Sequence, residues 1–320
     1  MTKRELDAAG IHDPDLRRAY TWCRGLNARH GRTYFLATRM LAPAQRPAVH
    51  ALYGFARRLD DIVDEPDPEA TPRSLAARLS EVEGRFLTDL AAGVSDDPLL
   101  TAVIDTAATY HLEERLFRAF FTSMRMDLSV TDYATREDLD VYVHGSAEVI
   151  GLQVLPILGA VSPRAEAAPR AAALGKAFQL TNFLRDVAED LARGRVYLPA
   201  DELKEHDVDR ERLSWCAEHG RADVSVRAAI KEQVAITRQI YAEARPGIAM
   251  LHPVSQPCVA TAASLYGQIL DRIEEANHDV FAGRATVSRR RRLAVACGAL
   301  ARSRWARTRH PAPAPPSAVG

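Results

Sequence analysis

Apolar residues recur at spacings of three and four along almost the whole chain, in stretches rich in alanine, leucine, arginine and glutamate. Because this spacing places apolar side chains on one face of a helix, the pattern predicts an all-α protein. No run alternates apolar and polar residues well enough to predict a strand. The predicted helices cover residues 14–27, 44–64, 71–92, 97–108, 111–128, 136–160, 164–192, 222–245, 254–282 and 289–306.

Prolines and glycines separate these helices but form no linker between domains. Pro66, Pro68 and Pro199 stand between periodic segments, as does the pair at 252–253. We therefore predict a single domain that spans residues 1–310. Residues 311–320 read PAPAPPSAVG, a composition that cannot form a packed core and predicts a disordered tail.

The composition excludes several classes of protein. The 320 residues contain 42 Lys and Arg and 42 Asp and Glu, so the net charge of zero argues against general polyanion binding. The 47% hydrophobic residues exclude wholesale disorder. The four cysteines show no metal-site spacing, which is typical of a reduced intracellular compartment. The polar N-terminus differs from a signal peptide, and the apolar stretches fall short of the roughly 18 residues of a membrane span. We expect a cytoplasmic protein with at most peripheral membrane contact.

The first candidate site lies in an amphipathic helix at 52–65. At about 100° per residue, Tyr53, Arg57, Asp60 and Asp64 fall within an arc of about 60° beside the apolar stripe, whereas Asp61 and Glu65 point further round. Two carboxylates four residues apart repel each other unless a cation lies near them. The spacing alone also occurs on solvated helix faces.

A second segment, at 179–191, repeats this arrangement and strengthens the case for a site. Gln179, Asn182, Asp186 and Asp190 fall within an arc of about 80° beside another apolar stripe. Two such helices could face each other across the cavity of a helical bundle. Carboxylates without Cys or His favour Mg²⁺ or Mn²⁺, which proteins commonly bind together with substrate phosphate.

At these residues the sequence resembles the phytoene synthase/squalene synthase family of head-to-head prenyl transferases, which use the all-α isoprenoid synthase fold. The resemblance runs from about residue 30 to residue 292, and the order of its parts is more specific than any one of them. Those parts are residues 30–35, 53–64, 126–128, 142–151, 179–199 and 266–271, followed by Phe281 and Arg284.

The resemblance implies a role for each matching residue. Asp60, Asp64, Asp186 and Asp190 are the implied catalytic residues and, with Asn182, the implied Mg²⁺ or Mn²⁺ ligands. The implied substrate-binding residues are His30, Tyr53, Arg57, Tyr142, Gln179, Asn182, Arg193, Arg195, Tyr197 and Tyr266. For Arg193 and Arg195, the alternative is that their positive charge stabilises the C-terminal end of a helix. For His30, the alternative is a structural role.

Three features of the sequence have no one definite role. Asp127 matches the family, either as the partner of a buried group or as a direct participant. The small residues around Gly145 and Gly151 could allow close helix packing, leave room for an isoprenoid chain, or do both. Glu148 departs from the commoner family pattern, and we assign it no role.

By the resemblance, the expected activity is the Mg²⁺-dependent condensation of two geranylgeranyl diphosphates to phytoene through a cyclopropyl intermediate, without NADPH. The alternative enzyme acts on C15 substrates and yields squalene, dehydrosqualene or presqualene diphosphate. A third possibility is a noncatalytic member of the family, although all four aspartates are present.

An arginine-rich C-terminus supports a competing interpretation, in which the protein is not an enzyme but binds a polyanion or a membrane. No Asp or Glu follows Asp279, and a cluster of this kind can bind nucleic acid or anionic lipid. Because no nucleic-acid-binding motif accompanies it, we expect no nucleic-acid partner and favour a solvated or membrane-surface patch. The arginines are Arg284, Arg289, Arg290, Arg291, Arg292, Arg302, Arg304, Arg307 and Arg309.

Overall fold

The computed structural model describes residues 3–64 and 69–314, without the side chains at 32, 33, 289, 292, 293, 296 and 297. Within these residues the chain is helical and contains no strand, which confirms the predicted all-α class. Only two isolated bridges occur in this part, between Asp132 and Val196 and between Ala160 and Leu251.

The helices follow one another with short connections. A 3₁₀ turn, Pro43–Gln45, precedes α4, and a π-helical turn, His144–Glu148, separates α8 from α9. The helices are α1 (Lys3–Ala8), α2 (Pro14–His30), α3 (Arg32–Thr38), α4 (Arg46–Asp64), α5 (Pro72–Ala92), α6 (Pro98–Tyr110), α7 (Glu114–Met126), α8 (Arg136–Val143), α9 (Val149–Leu158), α10 (Arg164–Ala192), α11 (Ala200–Lys204), α12 (Arg210–Glu218), α13 (Val224–Ala244), α14 (Gly247–Met250), α15 (Gln256–Glu275) and α16 (Arg289–Arg309).

Local sequence sets many of these boundaries. The side chains of Asp13, Asp97 and Asp223 accept hydrogen bonds from backbone amides in the first turns of α2, α6 and α13. These caps satisfy amide groups that have no partner within the helix. At the other end of α5, Gly93 adopts a left-handed conformation with φ of 71°, which closes the helix.

The predicted helices differ from the observed ones at three kinds of place. The short helices α1, α3, α11, α12 and α14 were not predicted, because segments this short show little periodicity. The helix predicted over 254–282 is wrong at its end, since α15 ends at Glu275 and the left-handed Asn277 and His278 turn the chain. The helix predicted over 136–160 is divided by the π-helical turn.

A cluster of phenylalanines anchors the first acidic helix. Phe55 of α4 lies 5.0 Å from Phe86 of α5 and 5.5 Å from Phe117 of α7, measured between ring centroids. All three side chains are buried, so their burial and their tilted or edge-on ring contacts stabilise the packing of α4 against its neighbours. This packing fixes one face of α4 and leaves its polar face free to line a cavity.

Glycines allow the closest helix contacts. A Cβ on Gly175 of α10 would lie 2.5 Å from the carbonyl oxygen of Ala147, and a Cβ on Gly145 would clash with the carbonyl oxygen of Ala119 in α7. The π-helical turn therefore packs backbone to backbone against both α7 and α10. These contacts confirm close packing of this segment. Ser146, Ala147 and Gly151 also line the cavity described below, so the expectation that the segment leaves room for an isoprenoid chain stays a prediction.

We expect Gly145→Ala to destabilise the protein by about 1–3 kcal/mol, because the added methyl group must push α7 away from the π-helical turn. Thermal unfolding followed by circular dichroism measures the effect. Gly84→Ala in α5 is the matched control, since a Cβ there meets no atom within 4 Å and alanine favours a helix. A melting temperature for Gly145→Ala equal to that of Gly84→Ala would contradict the packing argument.

The remaining sequence expectations concern membrane spans and the tail. By length and composition, residues Arg136–Leu158 could span a membrane. Half of the 18-residue apolar stretch that meets this test is buried in the protein, as in the core helix of a soluble protein. Residues 311–314 of the predicted tail follow α16 as irregular chain, and Pro313 lies beside Gly159. Residues 315–320 lie outside the described part of the chain, so the expected disorder of the tail stays a prediction.

Candidate active site

A cavity of about 1030 Å³ lies between α4 and α10, with walls formed by several further helices. This volume is at the upper end of the roughly 300–1,000 Å³ common for ligand pockets. Every candidate site residue from the sequence lines this one cavity. Those residues are His30, Tyr53, Arg57, Asp60, Asp64, Tyr142, Gln179, Asn182, Asp186, Asp190, Arg193, Arg195, Tyr197 and Tyr266.

The polar face of α4 forms one wall. Leu59, Ile62 and Val63 are buried in the core, and this orients Asp60 and Asp64 towards the cavity. Arg57 binds Asp61 at 2.5 Å, one turn along the helix. Asp61 is not among the cavity-lining residues, as its place on the helix predicts, whereas Glu65 lies outside the described residues.

The carboxyl group of Asp60 has an unusual electrostatic environment. Burial raises its pKa to about 7, and the neighbouring carboxylates of Asp64 and Asp127 add to this effect, which Arg57 partly offsets. A carboxylate surrounded by other carboxylates is destabilised unless positive charge enters the site. The position therefore favours binding of a cation.

The polar face of α10 forms the opposite wall. Arg185 donates to Asp186 at 2.8 Å, and Arg284, beyond α15, donates to the same carboxylate at 2.9 Å. Burial raises the pKa of Asp190 to about 7, and the charge of Asp186 raises it further, against the effects of nearby arginines. The two helices thus have the same electrostatic pattern. On each, one aspartate has a raised pKa and the other is bound by arginine: Asp186 of α10 as above, and Asp64 of α4 by Arg195.

Two arginine side chains at and after the end of α10 reach Asp64 of α4. Arg195 donates to Asp64 at 2.9 Å and to the backbone carbonyl of Asp127 at 3.1 Å. Arg193 is the C-cap residue of α10 and lies 3.8 Å from Asp64. Arg195 therefore does more than balance charge at a helix end, because it connects the two acidic helices.

Asp127 is the centre of a buried hydrogen-bond network. The hydroxyl groups of Tyr142 and Tyr197 donate to its carboxylate at 2.8 and 2.9 Å. Burial raises the pKa of Asp127 to about 6, although both tyrosines and Arg195 favour the ionised form. The ring of Tyr197 stacks on Phe183 at 4.2 Å, so the network is held rigidly against α10. Asp127 thus bonds directly to two predicted substrate-binding residues.

The structure adds cavity residues to which the sequence analysis gave no role. Tyr34 of α3 accepts a hydrogen bond from the hydroxyl of Tyr266 at 2.7 Å, and its ring lies 6.2 Å from that of Tyr53. Tyr34, Arg185 and Arg284 all belong to segments of the family resemblance, which was the available signal. Glu148 instead pairs with His144 at 2.9 Å and is absent from the cavity lining.

The other end of the cavity is apolar. Leu41, Leu158 and Cys258 line it and belong to a buried cluster that also contains Ala299 of α16. The cavity therefore runs from a charged end, between the acidic helices, to an end lined by hydrocarbon. A ligand with a phosphate head and a long hydrocarbon chain matches both ends.

The carboxyl pKa values predict how stability depends on pH. Asp60 and Asp190 have pKa values of about 7 in the folded chain, against 3.8 as the reference value for aspartate. The folded state then binds more protons than the unfolded state between these values, so stability falls as pH rises from about 4 through about 7.

We therefore expect metal-free protein to melt at a lower temperature at pH 8 than at pH 5.5, and added Mg²⁺ to restore stability chiefly at pH 8. Scanning calorimetry with and without a chelator measures this. Asp60→Asn/Asp190→Asn should weaken both dependences, because neither amide titrates. An unchanged pH profile in that double variant would contradict the assignment of these two groups.

The donor set fits divalent cations. In residues 3–64 and 69–314, no three His, Cys, Asp or Glu side chains are close enough to form a metal centre by themselves. The carboxylates stand two on each helix, an arrangement suited to ions that also bind phosphate oxygens. The Oδ1 atom of Asn182, beside them, is buried and has no hydrogen-bond partner among the described residues, so it can act as a further oxygen ligand.

Comparison with known proteins gives a consistent result. The sequence profile of the family described as Squalene/phytoene synthase matches residues 27–291. The phytoene synthase of Arthrospira platensis is 35% identical over 84% of this chain and 88% of its own. The 15-cis-phytoene synthase of Synechococcus elongatus is 37% identical over 87% of this chain and 91% of its own. A chloroplastic phytoene synthase of Daucus carota is 36% identical over 91% and 72%.

Solved structures agree on the fold. A dehydrosqualene synthase bound to a ligand superposes with a TM-score of 0.79 at 24% identity, covering 89% of this chain and 96% of its own. A squalene synthase from Alicyclobacillus acidocaldarius gives a TM-score of 0.75 at 26% identity, covering 85% and 98%. These neighbours confirm the isoprenoid synthase fold. Enzymes of this kind process prenyl diphosphates and generally depend on a divalent metal. The chain therefore belongs to the squalene/phytoene synthase family and is a prenyltransferase.

Proposed function

We propose that this enzyme condenses two molecules of geranylgeranyl diphosphate head to head, through a cyclopropyl intermediate, to give phytoene for carotenoid biosynthesis. The observation that carries the proposal is the similarity to phytoene synthases of cyanobacteria and plants over most of the chain. The cavity supports it, because a charged end and a hydrocarbon end suit a prenyl diphosphate.

At the charged end, we propose that Asp60, Asp64, Asn182, Asp186 and Asp190 hold Mg²⁺, whose bound charge would stabilise the departing diphosphate. Arg57, Arg193 and Arg195 then bind diphosphate oxygens directly, since a guanidinium group suits phosphate geometry. The arginine pairs on Asp64 and Asp186 explain how these carboxylates are kept neutralised before substrate enters. His30 and Gln179 line the same end of the site.

In the middle of the cavity, the chain itself has two tasks. The apolar walls exclude water, which would otherwise capture an allylic cation. The hydroxyl groups of Tyr142 and Tyr197 donate to Asp127, which fixes the orientation of both side chains in the cavity wall. Burial raises the pKa of both tyrosines, which keeps them neutral and prevents them from trapping the cation as phenolates.

The product assay tests the proposal. Purified protein with Mg²⁺ is incubated separately with farnesyl and geranylgeranyl diphosphate, each with and without NADPH, and the hydrocarbon is identified by mass spectrometry. Phytoene from the C20 substrate without NADPH is the expected result. A C30 product would move the enzyme to the squalene or dehydrosqualene branch, which the similarity to the Alicyclobacillus structure makes the second candidate. Release of no diphosphate from either substrate would favour a noncatalytic member.

We also propose that the enzyme works in the cytoplasm with its substrates and products at a membrane surface. The three cysteines in the described side chains, Cys23, Cys216 and Cys258, are free and buried, which fits a reducing compartment. Cell fractionation tests this location. Recovery of the enzyme from the periplasmic or extracellular fraction would overturn it.

A further inference from the structure

The outward face of α16 carries a line of small residues that ends in a tryptophan and is bordered by arginines. Ala294, Gly298, Ala301 and Trp305 are exposed and follow one another at spacings of four, three and four. At about 100° per residue they form one narrow apolar line along the helix. Trp305, at the end of this line, has 58% of its surface exposed.

Arginines border this line on both sides. By their helical positions, Arg291, Arg302 and Arg309 lie on one side of it, and Arg290 and Arg304 on the other. All five side chains are exposed. The guanidinium of Arg309 lies 4.3 Å from the centre of the Trp305 ring, so the aromatic ring and the charge form one unit.

Two further arginines, Arg4 of α1 and Arg46 of α4, lie near the basic face of α16. Burial lowers the pKa of Arg307, and the positive charges of Arg46, Arg304 and Arg4 lower it further, so these four cations lie near one another. Glu5, the acidic residue bonded to Arg46, is buried and therefore faces away from solvent. No acidic residue follows Asp279 in the sequence, so α16 carries no negative side chain.

The inward face of α16 covers the apolar end of the cavity. Ala299 and Leu300 pack in the cluster that contains the cavity-lining Leu41 and Cys258. Arg307 donates to the backbone carbonyl of Leu41 at 3.0 Å, which ties the helix to the cavity wall. The basic outer face and the hydrocarbon end of the cavity therefore belong to the same side of the molecule.

We infer that the outward face of α16, with its apolar line and bordering arginines, docks on the surface of a bilayer that contains anionic lipid. In this arrangement the arginine side chains reach the anionic headgroups, and Trp305 lies at the membrane–water interface, where tryptophan is enriched. If the proposed function holds, docking places the apolar end of the cavity against the membrane that must accept a hydrocarbon product.

Two other occupants fit the face less well. In a symmetric dimer each copy would contribute the same patch, so this arginine-rich surface would meet its own positive charge. A nucleic acid would leave the apolar line without a partner, because Arg309 already covers one face of the only aromatic ring on it. An anionic bilayer matches both the charge and the apolar line.

Vesicle sedimentation with the full-length protein tests this inference. We expect binding to vesicles of phosphatidylcholine with phosphatidylglycerol, and much weaker binding to phosphatidylcholine alone. Arg302→Gln/Arg304→Gln should reduce binding to the anionic vesicles about 30-fold, because each arginine near an anionic surface contributes about 1 kcal/mol. Turnover in detergent should stay unchanged in this variant, since neither residue lines the cavity.

Arg73→Gln/Arg78→Gln is the matched control. This variant also removes two positive charges, but from exposed positions of α5, a helix that packs against α4, α6 and α7. Equal loss of binding in both variants would show that only total charge matters and would overturn the assigned face. Loss of turnover in detergent by Arg302→Gln/Arg304→Gln would also overturn it, because the arginines would then serve the cavity.

Tryptophan fluorescence adds a test of depth. Anionic vesicles should shift the emission of the protein to shorter wavelength, and the shift should disappear in Trp305→Phe, which keeps Trp22 and Trp215. Persistence of the shift would place another surface against the lipid. Conversion of a dimer to a monomer by Trp305→Phe, or binding to DNA but not to vesicles, would assign the face to one of the other two occupants.

Discussion

Asp60→Asn and Asp186→Asn should each lower kcat by about 10³-fold, which corresponds to about 4 kcal/mol of activation free energy. Asp60 and Asp186 lie on opposite walls of the cavity, and each is one of a pair of carboxylates proposed to hold metal. An amide keeps the shape of the side chain but removes its charge, so the bound cation and the departing diphosphate are both less stabilised. Steady-state turnover at saturating Mg²⁺ measures the effect.

Asp61→Asn is the control for this prediction. Asp61 neighbours Asp60 on α4 but does not line the cavity, so its loss should change kcat by only a few-fold. Circular dichroism must show that each variant is folded. Near-normal turnover in folded Asp60→Asn or Asp186→Asn would remove these carboxylates from the metal site, whatever the product of the enzyme.

Arg195→Gln should lower kcat/KM by about 10²-fold, because Arg195 contacts Asp64, the carbonyl of Asp127 and the cavity at once. Its loss removes a charge proposed to bind diphosphate and frees the segment that connects the two acidic helices. Arg195→Lys should restore little activity, since a lysine ammonium cannot make both contacts with the geometry of a guanidinium. Initial rates at varied substrate concentration measure both constants.

Arg238→Gln is the matched control for Arg195→Gln. Arg238 also bridges two carboxylates, of Asp271 and Glu274, but it does so outside the cavity, where such pairs contribute little. Its kinetic constants should match those of the wild type. Full rescue by Arg195→Lys would mean that charge alone matters at this position, and that bridging the two helices does not.

The long helices were predictable because each buries one apolar stripe, and that stripe has the helical period. The stripe beside Asp60, with Leu59, Ile62 and Val63, is buried as its spacing predicts. The short helices and the π-helical turn follow from contacts with other parts of the chain. Gly145, for example, reports close packing only when Ala119 is known to lie against it.

In the candidate site, too, some features were predictable from the sequence and others depend on contacts between distant parts of the chain. Helical spacing alone places Asp60 with Asp64 and Asp186 with Asp190, since residues four apart share a face. The family resemblance added the residues between the two helices, including Tyr142 and Tyr197. Neither source shows that Asp127 accepts hydrogen bonds from both tyrosines, because its partners lie 15 and 70 residues away in the chain.

The amino-acid sequence by itself thus determined the helical class, the two acidic faces and the chemistry of the ligands they suit, all of which depend on neighbours within two helical turns. Only the tertiary structure decided which carboxylates are bound by arginines, which have raised pKa values, and that α16 covers the apolar end of the cavity. These features depend on distances between residues far apart in the chain and on how much water remains around each charge, which no local pattern encodes.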